Sequence, residues 1–109
     1  MVLKQDRRSA RISIIEGDAR LTYKPSVDLT FGSAARSFPG KMLGIVLTGM
    51  GADGRDGCRL VKSSGASIWT QNEKSCVVYG MPKVVDEAGY SDLSLDINEI
   101  ADRLVSEFL

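Results

Sequence analysis

Met42-Leu43-Gly44-Ile45-Val46-Leu47-Thr48, running without a break into Gly49-Met50-Gly51-Ala52-Asp53-Gly54, is the stretch that decides the fold. Its first seven residues are almost continuously apolar and rich in β-branched side chains, the pattern of a strand covered on both faces and therefore of a parallel sheet. The glycines form a turn. Beyond it, residues 55–64 place Cys58 and Val61 inward at helical spacing and stop at Gly65. Strand, glycine turn and helix in that order predict an α/β domain.

The flanking sequence repeats the alternation. Downstream, residues 66–71 predict a second short strand, 72–75 a loop and 76–79 a further apolar run of extended character. Gly80-Met81-Pro82 opens a helix with proline at its first position, and Gly89 lies just past its end. Residues 93–95 predict a last strand. Asp96 with Glu99 is a capping box, and Ile97, Ile100, Ala101, Leu104, Val105 and Phe108 predict the buried stripe of a final helix. Upstream, residues 2–5 and 10–16 flank Asp6-Arg7-Arg8-Ser9 as a β-hairpin, ended by Gly17-Asp18, with 19–24 a loop or short extended piece. Pro25 then leads to Ser26, an N-cap, with Asp28 where the helix dipole favours an acid. Val27, Phe31, Ala34, Ala35 and Phe38 recur at helical spacing until Pro39-Gly40 stops the helix. The whole predicts a doubly wound, largely parallel sheet with helices on both faces and a hairpin at one edge.

Composition narrows the chemistry. The 109 residues fit one domain, which buries roughly 65% of its unfolded surface. The chain holds no histidine, so by itself it cannot run a Ser-His-Asp or Cys-His mechanism, nor bind zinc through imidazoles. Fourteen basic and fourteen acidic residues cancel and are intermixed, giving no electrostatic footprint for nucleic acid or an anionic membrane. No apolar run approaches the roughly 20 residues that span a bilayer, and the amino terminus lacks the charge order of a secretory signal. Cys58 and Cys76 form no C-x-x-C pair and read as free thiols of a reducing, cytoplasmic compartment.

Gly49-Met50-Gly51-Ala52-Asp53-Gly54 satisfies G-x-G-x-x-G between a strand and a helix, the setting of a dinucleotide fingerprint, and Glu73 lies where a ribose-binding acid would be sought. Asp53 argues against that reading. A carboxylate at a helix start competes with pyrophosphate for the same amides and repels its charge. The position instead suits an acid that must stay ionised at the carboxyl end of a buried strand, where open α/β sheets place their chemistry. Such an acid can accept Nδ1-H of an imidazole, while turn amides such as that of Met50 donate to an oxyanion. Three readings of the turn stay open on these residues: a capped helix with close helix-sheet packing, a site carboxylate, and a nucleotide-binding module.

Other positions carry less. Ser26 lacks a base and reads as a cap; Trp69 supplies core area, or with Gln71 lines a cleft; Arg7 and Arg8 are solvated; Met81 faces the carboxyl edge of the sheet or packs in the core.

Three motifs in order, Tyr23-Lys-Pro-Ser-Val-Asp28, Leu47-Thr-Gly-Met-Gly-Ala-Asp-Gly54 and Gln71-Asn-Glu-Lys-Ser-Cys-Val-Val-Tyr-Gly-Met-Pro82, resemble the catalytic domain of the chemotaxis protein-glutamate methylesterases. The resemblance runs over almost the whole chain, and makes residues 1–109 the C-terminal portion of one such domain. It implies hydrolysis of glutamate methyl esters, and deamidation of certain glutamines, on the cytoplasmic helices of chemoreceptors, in a family often carrying a receiver domain. It also implies a Ser-His-Asp triad without metal or other cofactor. Asp53 matches the aspartate, Met50 lies beside the active site, and Gly49 and Gly51 support the turn. The family's serine and histidine fall outside this chain, so the isolated polypeptide is expected to be inactive and prone to self-association through an uncovered sheet edge. A catalytically silent interaction module is the remaining alternative.

Overall fold

The structure, a computed structural model, describes residues 1–6, 9–15 and 26–109. Strands β1 (Val2–Asp6) and β2 (Ser9–Ser13) pair antiparallel, with Leu3 opposite Ile12 and Asp6 opposite Ser9. This is the predicted hairpin, although β2 stops at Ser13, short of residue 16. It stands as a separate two-stranded sheet against helix α1 (Val27–Ser37), and does not hydrogen-bond to the edge of the main sheet. The contact is polar as well as apolar. The Leu3 amide donates to Ser33 Oγ at 2.8 Å, Ser37 Oγ donates to the Leu3 carbonyl at 2.9 Å, and Val2 is buried. The readings of Arg7, Arg8, Gly17-Asp18, the 19–24 loop and Tyr23 to Pro25 lie outside the described residues.

The main sheet is parallel, in the order β3 (Leu43–Val46), β4 (Ser67–Gln71), β5 (Leu93–Leu95). Its register sets Ile45 beside Trp69 and Trp69 beside Leu93. Alternating side chains feed two cores, as strands covered on both faces require. On one face Val46 and Ile68 pack with Ala35 of α1, Cys58 and Val61 of α2 (Arg55–Ser63) and Val85 of α3 (Met81–Glu87). On the other, Trp69 and Leu95 pack with Ile100 of α4 (Ile97–Phe108), flanked by Leu43, Ile45 and Leu104. Helices on both faces and a parallel sheet agree with the sequence reading. No helix of the described residues is long and apolar enough to cross a membrane.

Two expectations need correction. Residues 76–79 form no strand. They follow a one-turn helix at Glu73–Ser75 and touch the glycine turn through one bridge between Gly49 and Tyr79. The stripe of α4 is buried only at Ile100, with Leu104 partly covered, whereas Ile97, Val105 and Phe108 are exposed. Trp69 and Leu95, flanked by Leu43, Ile45 and Leu93, cover Ile100 and part of Leu104 but leave the rest of the stripe open. What remains is a groove of about 690 Å³ whose apolar lining includes Leu43, Ile45, Leu104, Val105 and Phe108. It opens at the amino end of β3 and β4, away from the glycine turn.

One carboxylate ties α2, β4 and the start of β5 together. Asp92 accepts two hydrogen bonds from Lys62 Nζ, at 2.7 and 2.8 Å, and one from the buried Ile68 amide at 2.8 Å. Burial works against its charge, but the Lys62 and Ile68 donors and the Lys62 charge outweigh it and hold the carboxyl below its ordinary 3.8. Its folded value lies below the unfolded one, so this stabilisation is present above about pH 4 and is lost as pH falls through the lowered folded value. Asp92→Ala is expected to cost about 1 kcal/mol, chiefly from the orphaned Ile68 amide, because the side chains of the ion pair are 32% and 39% exposed. Urea melts at pH 7 test this: unchanged stability of the variant would contradict it.

Candidate functional site at the carboxyl end of the sheet

The glycine turn leaves β3 where the sequence places it, and its seat is built from backbone contacts. The Gly49 amide donates to the Val78 carbonyl at 3.2 Å, and the Met81 amide donates to the Gly49 carbonyl at 2.9 Å. Thr48 Oγ1 both donates to the Val78 carbonyl and accepts from the Val78 amide, each at 2.9 Å. The Thr48 amide donates to Gln71 Oε1 at 2.8 Å, and Gln71 Nε2 donates to the Ser75 carbonyl at 2.8 Å. Gln71, buried at the end of β4, is thus a clamp between two loops. A buried amide side chain is retained only when its groups are satisfied, and this one joins the turn to the segment facing it.

Small residues permit the fit. A Cβ on Gly80 would stand 2.6 Å from the Gly49 carbonyl oxygen and 3.1 Å from the Gly51 amide nitrogen. Gly51 and Gly54 have φ of 101° and 108°, the left-handed region that glycine tolerates best. Behind the facing segment, Tyr79 Oη and Thr70 Oγ1 both donate to the Asp86 carboxylate. Burial and that hydrogen bond push the Tyr79 phenol far above its usual range, the hydrogen bond contributing most. Met81 is half-buried against the core, with its Sδ over Gly49.

Asp53 is 5% exposed and does something the sequence does not predict. It makes no side-chain cap on its own helix. Gly54 is the N-cap of α2, with no side-chain hydrogen bond. Both Asp53 oxygens turn to the other helix: Oδ2 accepts from the Val27 amide at 2.7 Å and Oδ1 from the Asp28 amide at 3.0 Å. Ser26 Oγ caps the next amide of α1, that of Leu29, as its sequence position predicts. In return, Asp28 Oδ1 accepts from the Gly54 amide at 3.0 Å and the Gly57 amide at 2.8 Å, at the start of α2. Each helix is capped by the other's carboxylate.

The exchange needs the helices to touch. A Cβ on Gly57 would meet Phe31 Cβ at 2.8 Å and Asp28 Cα at 3.0 Å, so only glycine admits this approach without displacement. Burial raises the Asp28 carboxyl above its ordinary 3.8. The Gly57 and Gly54 amides counter this, while the charges of Asp53 and Asp56 add to it. Burial likewise pushes the Cys58 thiol, wholly enclosed behind the pair, up to about 12, with a smaller contribution from the Asp28 charge. That makes it a core group, not a nucleophile. Cys76 is also a free thiol, and it donates to the Gln71 carbonyl at 3.7 Å.

The arrangement is a fixed, buried carboxylate beside an exposed turn. Met50 projects with 81% of its surface free, and Val77 beside the facing segment with 91%. Two of the carboxylate's lone pairs are held by amides whose positions α1 fixes, which leaves acceptor capacity for a further donor on either oxygen. Of the three turn residues, Gly49 spends its amide on the Val78 carbonyl. No group of three or more histidine, cysteine, aspartate or glutamate residues among those described is placed to hold a metal ion.

Comparison with known proteins matches this architecture. The model of the CheB methylesterase family matches residues 1–104. A protein-glutamate methylesterase/protein-glutamine glutaminase of Colwellia psychrerythraea is 52% identical over 108 residues, 98% of this chain and 28% of that protein. A protein of the same name from Hahella chejuensis, numbered 4, is 57% identical over 96 residues, 88% of this chain and 25% of the relative. The crystal structure of the Thermotoga maritima CheB methylesterase catalytic domain superposes with a TM-score of 0.90 at 34% identity, covering 96% of this chain and 56% of that one. The chain thus spans about a quarter of the length of these curated relatives and about half of a catalytic domain, and it belongs to the CheB methylesterase family.

Proposed function

We propose that residues 1–109 form the C-terminal portion of a protein-glutamate methylesterase catalytic domain and contribute Asp53 as the carboxylate of a Ser-His-Asp triad. The observation that carries this reading is the state of Asp53: buried, held by two helix amides, and set beside the Met50 turn at the carboxyl end of β3. A carboxylate so fixed accepts Nδ1-H of an imidazole and stabilises the imidazolium formed when histidine takes the serine proton. Serine attacks the ester carbonyl, the tetrahedral oxyanion is stabilised by turn amides such as that of Met50, and histidine protonates the departing methoxide. Gly49 and Gly51 hold the turn. The substrate class is the γ-methyl ester of glutamate on the cytoplasmic helices of chemoreceptors, in the cytoplasm, with glutamine deamidation as the parallel reaction and a receiver domain as the regulatory partner. No cofactor or nucleic acid takes part.

The dinucleotide reading loses support at the same place. Phosphate binding needs free amides at a helix N-terminus. At α2 the Gly54 and Gly57 amides are taken by Asp28, and at α1 the Val27 and Asp28 amides by Asp53.

The test is methanol release from methylated receptor helices. The 109-residue chain, which contains no histidine, is expected to release none, whereas a complete catalytic domain carrying this sequence is expected to turn over. A complete domain that folds and binds receptor without releasing methanol would establish the silent interaction module instead. By itself the chain leaves the outer edge of β3 without a strand partner among the described residues, a surface for self-association or for the rest of the domain.

A further inference from the structure

We propose that Asp28 is a positioning residue for the methylesterase reaction: by capping the start of α2 while its own amide holds Asp53, it sets the direction of the triad carboxylate. This rests on the assignment of Asp53 above.

Asp53 leaves the glycine turn one residue before the N-cap of α2, so its backbone position follows the first turn of that helix. Its side chain is aimed by two amides of α1, one of them that of Asp28. Asp28 therefore holds both ends of the lever. Its amide binds the Asp53 carboxylate, and its carboxylate binds the amides of Gly54 and Gly57 on either side of the α2 start. A side chain that only balanced the dipole of α1 would be placed toward the amides of its own helix. This one reaches a different helix, across a contact where Gly57 admits no Cβ. Removing it unties α2 from α1 and lets Asp53 shift relative to the amides that aim it.

Both accepted bonds fall on a single atom, Oδ1. An amide oxygen can take both, so asparagine keeps the geometry and removes only the charge, which lies near those of Asp53 and Asp56. Alanine removes the connection. The two substitutions separate position from charge.

The experiment uses a complete catalytic domain carrying this sequence, with methanol release from methylated receptor helices and thermal melts of each variant. Asp28→Ala is expected to lower kcat by about 10- to 100-fold with KM unchanged, at temperatures well below its melting transition, the penalty of a misplaced catalytic group. Asp28→Asn is expected to recover most of that loss. If Asp28→Ala fails to fold, Asp28→Glu serves in its place, since it keeps the charge but carries the oxygen one methylene further, and the same kcat loss is expected. Unchanged kcat in the folded variant, a loss confined to KM, or failure of Asp28→Asn to recover activity would each overturn the proposal. Asp53→Ala, run alongside, separates the two layers. If it retains kcat, the triad assignment itself fails; if it abolishes turnover while Asp28→Ala does not, only the positioning role does.

Discussion

Asp53→Ala in a complete domain carrying this sequence is expected to lower kcat by about 10⁴-fold, the scale on which loss of a triad carboxylate acts. The effect has two parts. In the proposed triad, the histidine loses the acceptor that selects its tautomer and stabilises its charged form. The Val27 and Asp28 amides of α1 lose their cap, which costs about 1–2 kcal/mol of stability and lowers the melting temperature. Asparagine is no remedy here, in contrast to Asp28. The two Asp53 bonds fall on different oxygens, so an amide turns its NH2 toward one of the two helix donors. Asp53→Asn is therefore expected to lose both activity and stability. The check is single-turnover methanol release normalised to folded protein. A kcat within tenfold of the unsubstituted domain would remove Asp53 from the chemistry.

Gly80→Ala is expected to lower kcat by about 100-fold while the domain stays folded. The three atoms nearest the added Cβ are all backbone of the turn, at 2.6 Å for the Gly49 carbonyl oxygen and 3.1 and 3.3 Å for the amide nitrogen and carbonyl oxygen of Gly51. No side chain can rotate out of the way, so the Met50 turn itself must move. A displacement near 1 Å is enough to cost about 100-fold where oxyanion donors are aimed by that turn. The overpacking also costs about 1–3 kcal/mol. Assays below the melting transition separate the two. Full kcat in the folded variant would show that the turn contributes packing but no geometry to the reaction.

The legible parts of this molecule are those whose partners lie within a few residues. The capping box at Asp96 and Glu99 closes within three residues, and the Ser26 cap bonds Leu29, also three away, so both follow from local spacing. The strand-turn-helix at residues 42–55 is legible for the same reason, since its apolar run and its glycines adjoin. Asp53 and Asp28 mark the limit. Both look like acids serving their own helices, and both serve the opposite one, through bonds spanning 25 to 29 residues. No periodicity encodes a contact of that range. A sequence signal for it is Gly57, a helical glycine that costs about 1 kcal/mol relative to alanine and so points to a close backbone approach. The exposed stripe of α4 misled in the other direction. Periodicity reports which face is apolar, but cover comes from contacts distant in sequence, and among the described residues only Ile100 of that stripe is fully buried.

The exchanged carboxylates also govern how the molecule opens. Helix ends are ordinarily the first places to fray, each independently of the rest. Release of Asp28 from α2 frees the turn that carries Asp53, and release of Asp53 uncaps α1. Two segments far apart in the chain thereby share one opening event, and the lifetime of the aimed carboxylate becomes the lifetime of a helix pair instead of a side-chain rotamer. A reorientation of the Asp53 carboxylate that would take nanoseconds for a lone side chain is moved onto the slower clock of two packed helices.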